Sequence, residues 1–86
     1  MEQLLTYLKA AAEPTRLRLL SLCSKGDMNV SDLAKILGQS QPRVSRHLKL
    51  LSDAGLVDRY REGSWAYYRL SDDQSDAGKI ARQLVS

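Results

Sequence analysis

Leucines recur three and four positions apart through the first half of the chain and give way after Gly55 to alternating valine, tyrosine and arginine. In residues 2–11, Leu4, Leu5 and Leu8 form an i, i+3/i+4 stripe that predicts a short amphipathic helix. A second helix opens at Glu13-Pro14, where proline suits the first turn. Its Leu17, Leu19, Leu20, Leu22 and Cys23 make too broad an apolar face for a surface helix, so it is expected to be central and buried, stopped by Gly26. Asn29, with Asp32 three residues on, resembles a capping box and starts a third helix that carries Leu33, Ile36 and Leu37 and ends at Gly38. A fourth begins with Ser40 as N-cap, aligns Val44, Leu48 and Leu51, and closes at Gly55.

Beyond Gly55 the period shortens. LVDRYR and WAYYRL, separated by Glu62-Gly63-Ser64, read as a β-hairpin with a tight glycine turn. From Ser75 to Ser86, Ile80, Leu84 and Val85 predict a last helix. The expected order is therefore α-α-α-α-β-β-α, a mainly α chain with a small hairpin. Two short helices joined by a glycine-containing turn are a helix-turn-helix, here over about 30–54. With a basic, aromatic hairpin directly behind it, over about 56–70, the predicted fold is a winged helix-turn-helix in one domain spanning residues 1–86.

Stepping about 100° per residue along the fourth helix, Leu48 and Leu51 stay near Val44, whereas Arg46 and Lys49 project to the opposite side. Gln41, Arg43 and Ser45 flank that outer face. The major groove admits such a helix and meets its N-terminal residues; arginine can pair bidentately with guanine and glutamine with adenine. Arg43 and Arg46 are the expected base readers, and Lys49, further along, is suited to a phosphate. The hairpin adds Arg59, Arg61 and Arg69, with Gly63 at its tip, for the adjacent minor groove or backbone. Ser40 and His47 complete the expected DNA-contacting set; His47 reads as a structural or phosphate-contacting residue. Trp65, Tyr67 and Tyr68 are expected to pack against helices or across the strand pair.

Charge sharpens this picture. The chain has 86 residues and a formal net charge of +3. The stretch from Ser40 to Leu70 alone accounts for it, with Arg43, Arg46, Lys49, Arg59, Arg61 and Arg69 against Asp53, Asp58 and Glu62. Clustering on one helix and one hairpin favours a phosphate-binding face over a merely solvated one. No apolar run approaches the roughly 20 residues that span a bilayer, and the N-terminus lacks the basic region of a secretory signal. The lone Cys23 excludes an internal disulfide and fits a reducing cytoplasm; on a buried helix it is expected to be inert. With one histidine no metal site is expected, and neither a phosphate loop nor a nucleophile–base pair suggests an enzyme or a cofactor.

The segments AEPTRLRLLSLC, VSDLAKILGQSQPRVSRHLKLLSDAGLV and YREGSWAYYRL resemble the ArsR/SmtB family of winged helix-turn-helix regulators, from about Ala11 to Leu70. The resemblance implies a bacterial homodimeric repressor acting on double-stranded DNA, reading an inverted-repeat operator. It also implies a dimer interface made by the first and last helices, here Leu4, Leu5 and Leu8 with Ile80, Leu84 and Val85. Thiolate-sensing members carry Cys-Val-Cys where this chain has Asn29-Val30-Ser31, and the last helix offers no histidine ligand. Asp72, Asp73 and Asp76 are expected to mark a loop and helix start rather than a metal site. Two alternatives stand beside this reading: the N-terminal domain of a longer protein that continues into an S-adenosylmethionine-dependent methyltransferase, and a winged-helix module that binds protein through its apolar terminal helices.

Overall fold

A computed structural model describes residues 1–85. Five helices and three strands follow in the order α1 (Glu2–Ala11), α2 (Pro14–Ser24), β1 (Met28–Asn29), α3 (Val30–Leu37), α4 (Gln41–Ala54), β2 (Val57–Glu62), β3 (Trp65–Leu70) and α5 (Asp76–Val85). This is the expected winged helix-turn-helix with one addition. The two residues of β1 pair with β3, Met28 opposite Tyr68 and Asn29 opposite Tyr67, giving an antiparallel sheet of order β1-β3-β2. A two-residue strand is too short to show a period of its own, which is why sequence patterning passed over it. The expected last helix reached to Ser86, which lies outside the described residues.

The helix boundaries follow from local chemistry. Pro14 occupies the first turn of α2, and the Glu13 side chain caps it by accepting from the Arg16 backbone N–H. Asn29 Oδ1 accepts from Asp32 N at 2.8 Å and Ser40 Oγ from Arg43 N at 3.3 Å, so both helices of the helix-turn-helix start on a side-chain cap. Gly38 and Gly55 end them in the left-handed region, at φ 66° and 90°, where a Cβ would be strained. Gly26 does not play that part: α2 ends at Ser24 with Lys25 as a right-handed cap, and Gly26 sits in the turn beyond.

The core is continuous across the elements. Leu19, Leu20 and Cys23 from α2, Leu33 and Ala34 from α3, and Val44, Leu48 and Leu51 from α4 are buried together with Tyr7, Leu56, Val57 and Tyr68. Val44, Leu48 and Leu51 are fully covered, which fixes the rotation of α4 and therefore which of its residues face outward. Not every leucine of α2 points inward, since Leu17 is 46% exposed. At the far end, the Tyr7 hydroxyl donates to the Asp73 carboxylate, tying α1 to the loop before α5. No helix among the described residues is long and apolar enough to cross a membrane.

Candidate nucleic-acid interface

The outer face of α4 is left free by the packing that holds its inner face. Ser40, Gln41, Arg43, Ser45, Arg46 and Lys49 are all exposed. Neither Arg43 nor Arg46 forms an ion pair with another described residue. Lys49 is paired with Asp53 one turn on, Nζ to Oδ2 at 3.0 Å, with both side chains largely in solvent. Such an exposed i, i+4 pair is worth only about 0.3–0.5 kcal/mol, too little to keep Lys49 from a phosphate.

His47 is placed differently from its neighbours. Its side chain is 15% exposed, and Nδ1 lies 3.3 Å from Arg16 Nη1 and 3.9 Å from Glu13 Oε1 at the start of α2. The ring also borders a shallow outward hollow shared with Ser40, Pro42, Arg43 and Arg46. The Arg16 backbone N–H, donating to the Glu13 carboxylate, holds that carboxyl below its ordinary value, with the charge of the Arg16 guanidinium helping.

The hairpin divides its three arginines by strand parity. Val57, Arg59 and Arg61 oppose Leu70, Tyr68 and Ala66, whereas Asp58, Tyr60 and Glu62 oppose Arg69, Tyr67 and Trp65. Successive side chains leave a strand on opposite faces. Arg59 therefore shares a face with buried Tyr68, and these two line a polar hollow with Ser45, Lys49 and Ser52 of α4. Arg61 follows on that face toward the tip, where Gly63 takes φ 63°. Glycine with positive φ in the first place of a two-residue turn is the pattern of a type II′ hairpin.

Arg69 is on the other face, grouped by sequence with Arg59 and Arg61 but separated from them by the pleat. Its guanidinium lies 5.1 Å above the Tyr60 ring, which stacks on Tyr67 with centroids 5.6 Å apart. The Tyr60 hydroxyl donates to Asp27, and that bond pushes its phenol up to about 12. The aromatic residues thus take the strand-pair and core places expected of Tyr67 and Tyr68, but Trp65 is 53% exposed beside Glu62.

The terminal helices expose apolar side chains on a second surface. Leu5, Leu8, Ile80 and Leu84 are 47%, 38%, 43% and 60% exposed. Leu17 of α2, which the sequence reading assigned to the core, joins them. Leu8, Leu17 and Leu84 border one apolar hollow floored by Tyr7, Leu20 and Leu56. Leu4 and Val85 are half-buried, and Val85 packs against the core of its own chain. Cys23 is buried, and burial pushes its thiol up to about 11, with the Asp27 carboxylate adding to the shift. No group of three or more histidine, cysteine, aspartate or glutamate side chains is gathered among the described residues.

Two placements beside the site were not foreseen. Gln39, in the turn between α3 and α4, donates from Nε2 to Thr15 Oγ1 at 3.2 Å and so anchors the turn to α2. Arg16 joins α1, α2 and α4, its Nε donating to the Ala10 carbonyl at 2.6 Å while Nη1 meets His47. Nothing in linear spacing announces a bond across 31 positions.

Residues 13–59 match the model of the family described as bacterial regulatory protein, arsR family. The arsenical resistance operon repressor of Escherichia coli K12 is 47% identical over 64 residues, covering 73% of this chain and 55% of the repressor. The arsenical resistance operon repressor of Bacillus subtilis 168 is 40% identical over 77 residues, covering 88% of this chain and 72% of that protein. The chain thus spans between about half and three quarters of the length of these relatives. Among solved structures, a homodimeric winged helix-turn-helix DNA-binding domain from Mycobacterium bovis superimposes with a TM-score of 0.83 at 30% identity, covering 96% of this chain and 75% of that one. On these grounds the chain belongs to the arsR family of bacterial regulatory proteins.

Proposed function

We propose that residues 1–86 act as one homodimeric, sequence-specific DNA-binding module of a cytoplasmic transcriptional repressor. The observation that carries this reading is the outer face of α4, where Gln41, Arg43 and Arg46 are exposed, unpaired with acids and held rigidly from behind by fully buried Val44, Leu48 and Leu51. Arg43 and Arg46 read base edges in the major groove, and Gln41 and Ser45 flank them. Ser40, at the helix start, and Lys49 contact phosphates. Arg59 and Arg61, on the strand face turned to α4, contact the backbone or minor groove beside it, with Gly63 letting the tip approach closely. Arg69, committed to Tyr60 on the opposite face, is outside this surface.

Dimerisation uses Leu5, Leu8 and Leu17 with Ile80 and Leu84. Covering them supplies burial that a chain of this size lacks alone, since about 40% of its unfolded surface stays exposed on folding. The homodimeric Mycobacterium bovis domain supports this assignment of the apolar face over docking of an unrelated protein. Two copies of α4 then enter successive major grooves about 34 Å apart and read an inverted repeat. The module itself carries no enzymatic activity, and no thiolate metal site is assigned to it. Asn29 and Ser31 stand where thiolate-sensing members of the family carry cysteines.

The test is selection of duplexes from a random pool, followed by fluorescence-anisotropy titration of the full chain on the best duplex and on its scrambled counterpart across a salt series. Lys49, Arg59 and Arg61 from each protomer give about six phosphate contacts and a log–log salt slope of about −5. Tight, selective binding to a two-fold symmetric sequence with such a slope supports the reading. Equal, weak binding to both duplexes contradicts it and leaves a protein partner as the better explanation.

A further inference from the structure

One polar cluster lies behind the DNA-reading surface rather than on it. Glu13, Arg16 and His47 are each half-buried, and they meet where α1 turns into α2 beneath α4. Glu13 Oε1 accepts from the Arg16 backbone N–H at 2.7 Å, which fixes the start of α2. The Arg16 guanidinium then spans two other elements. Nε donates to the Ala10 carbonyl in the last turn of α1 at 2.6 Å. Nη1 lies 3.3 Å from His47 Nδ1 on α4. Since a guanidinium only donates, this contact is a hydrogen bond in the tautomer that leaves Nδ1 free to accept.

We propose that Arg16 is a positioning residue of the DNA-reading surface: braced by Glu13 and the end of α1, it holds His47 and so sets the angle at which α4 presents Arg43 and Arg46. The inference rests on the proposed DNA-binding function and goes beyond it, because Arg16 touches no DNA in this account. Three features support a positional role. His47 lies between Arg46 and Leu48, so its anchor acts on the same turn of helix as an expected base reader. The leucine and valine contacts of α4 fix its rotation but are non-directional, whereas a forked donor against a ring nitrogen and a carbonyl adds a directional hold. The other end of the bond is α1, the helix whose Leu5 and Leu8 face the proposed partner copy, so the clamp joins the dimer face to the reading face.

The discriminating variants are Arg16→Lys, His47→Asn and His47→Leu in the full chain, titrated on the selected duplex and its scrambled form. Lysine keeps the charge but cannot make both bonds at once. Asparagine places its amide oxygen where Nδ1 was and keeps the acceptor; leucine removes it. Losing a hydrogen bond to a charged group weakens binding of the selected duplex by about tenfold or more. The expected result is that loss for Arg16→Lys and His47→Leu, with scrambled-duplex binding, salt slope and dimer mass unchanged, and near-complete rescue in His47→Asn. A fall in melting temperature with no change in the ratio of selected to scrambled affinity, measured well below melting, shows a merely structural role and overturns the proposal. So does equal loss on both duplexes, or a His47→Asn variant as weak as His47→Leu. If the wild-type chain itself fails to discriminate the duplexes, the proposed function falls first and this inference with it.

Discussion

Arg46 and Leu48 stand two residues apart on α4 and face opposite ways, so their alanine variants are expected to fail in opposite manners. Arg46 is exposed and in no ion pair among the described residues. Truncating such a residue changes stability by no more than about 0.5 kcal/mol. As a bidentate base contact it is worth about 1–3 kcal/mol. A dimer on an inverted repeat uses it twice, so Arg46→Ala costs about 2–6 kcal/mol, roughly thirtyfold or more in affinity. Leu48 is fully buried, and Leu48→Ala leaves a cavity costing about 2–5 kcal/mol. For a domain of this size that lowers the melting temperature by about 8 °C or more. Anisotropy titration on the selected duplex, with thermal melting monitored by circular dichroism, reads both effects. If Arg46→Ala binds as tightly as wild type, or melts as early as Leu48→Ala, the assignment of the outer face of α4 to base reading is wrong.

Leu84, 60% exposed on α5, is expected to tolerate aspartate in the folded chain but not across a dimer face. Sedimentation should show Leu84→Asp as a monomer where wild type is a dimer, and an unchanged mass removes α5 from the interface. Burial moves the Cys23 thiol from 9.0 to about 11, which lowers its thiolate fraction at pH 8 by roughly a hundredfold. Alkylation by iodoacetamide should be slower by at least that factor in the native chain than in denaturant, and a near-equal rate would exclude an inert core role. The Tyr7 hydroxyl, helped by the Ser75 N–H, holds the Asp73 carboxyl below its ordinary value. The folded state therefore binds fewer protons there than the unfolded state. Its stabilisation is present above the ordinary carboxylate range and is lost as pH falls through the folded value. Urea denaturation should show Tyr7→Phe less stable than wild type at pH 7 and converging with it near pH 2; a pH-independent gap contradicts the linkage.

The helix-turn-helix was legible because its signals are local. Asn29 and Ser40 cap, Gly38 and Gly55 stop, and apolar residues three and four apart mark the buried side, all within a few residues of one another. The exposed arginines of α4 followed from the same periodicity. What was missed depends on pairing between distant segments. β1 exists only because Met28 and Asn29 meet β3. The expectation that Arg69 would work with Arg59 and Arg61 ignored the pleat. Counting back from the Gly63–Ser64 turn pairs Arg69 with Asp58 and Arg59 with Tyr68, so the signal was present once the register was fixed. Leu17 was placed in the core because it reads simply as apolar, and Val85 joined the expected dimer face through the family resemblance. Only the packed chain shows Leu17 outward and Val85 against its own core. Arg16 carried no local mark at all, since its partners Ala10 and His47 are brought to it by the turn between α1 and α2 and by the packing of α4.

The central claim is that one surface, formed by the outer face of α4 and the helix-facing side of the hairpin, contacts DNA. Two-dimensional NMR of the isotopically labelled chain, with and without the selected duplex, tests it most directly. The account predicts that amide shifts concentrate between Ser40 and Lys49 and between Arg59 and Gly63, while Ile36, Arg69 and Leu84 change little. Large shifts centred on the outer strand face around Trp65, Tyr67 and Arg69, or on α1 and α5, with α4 undisturbed, would contradict it.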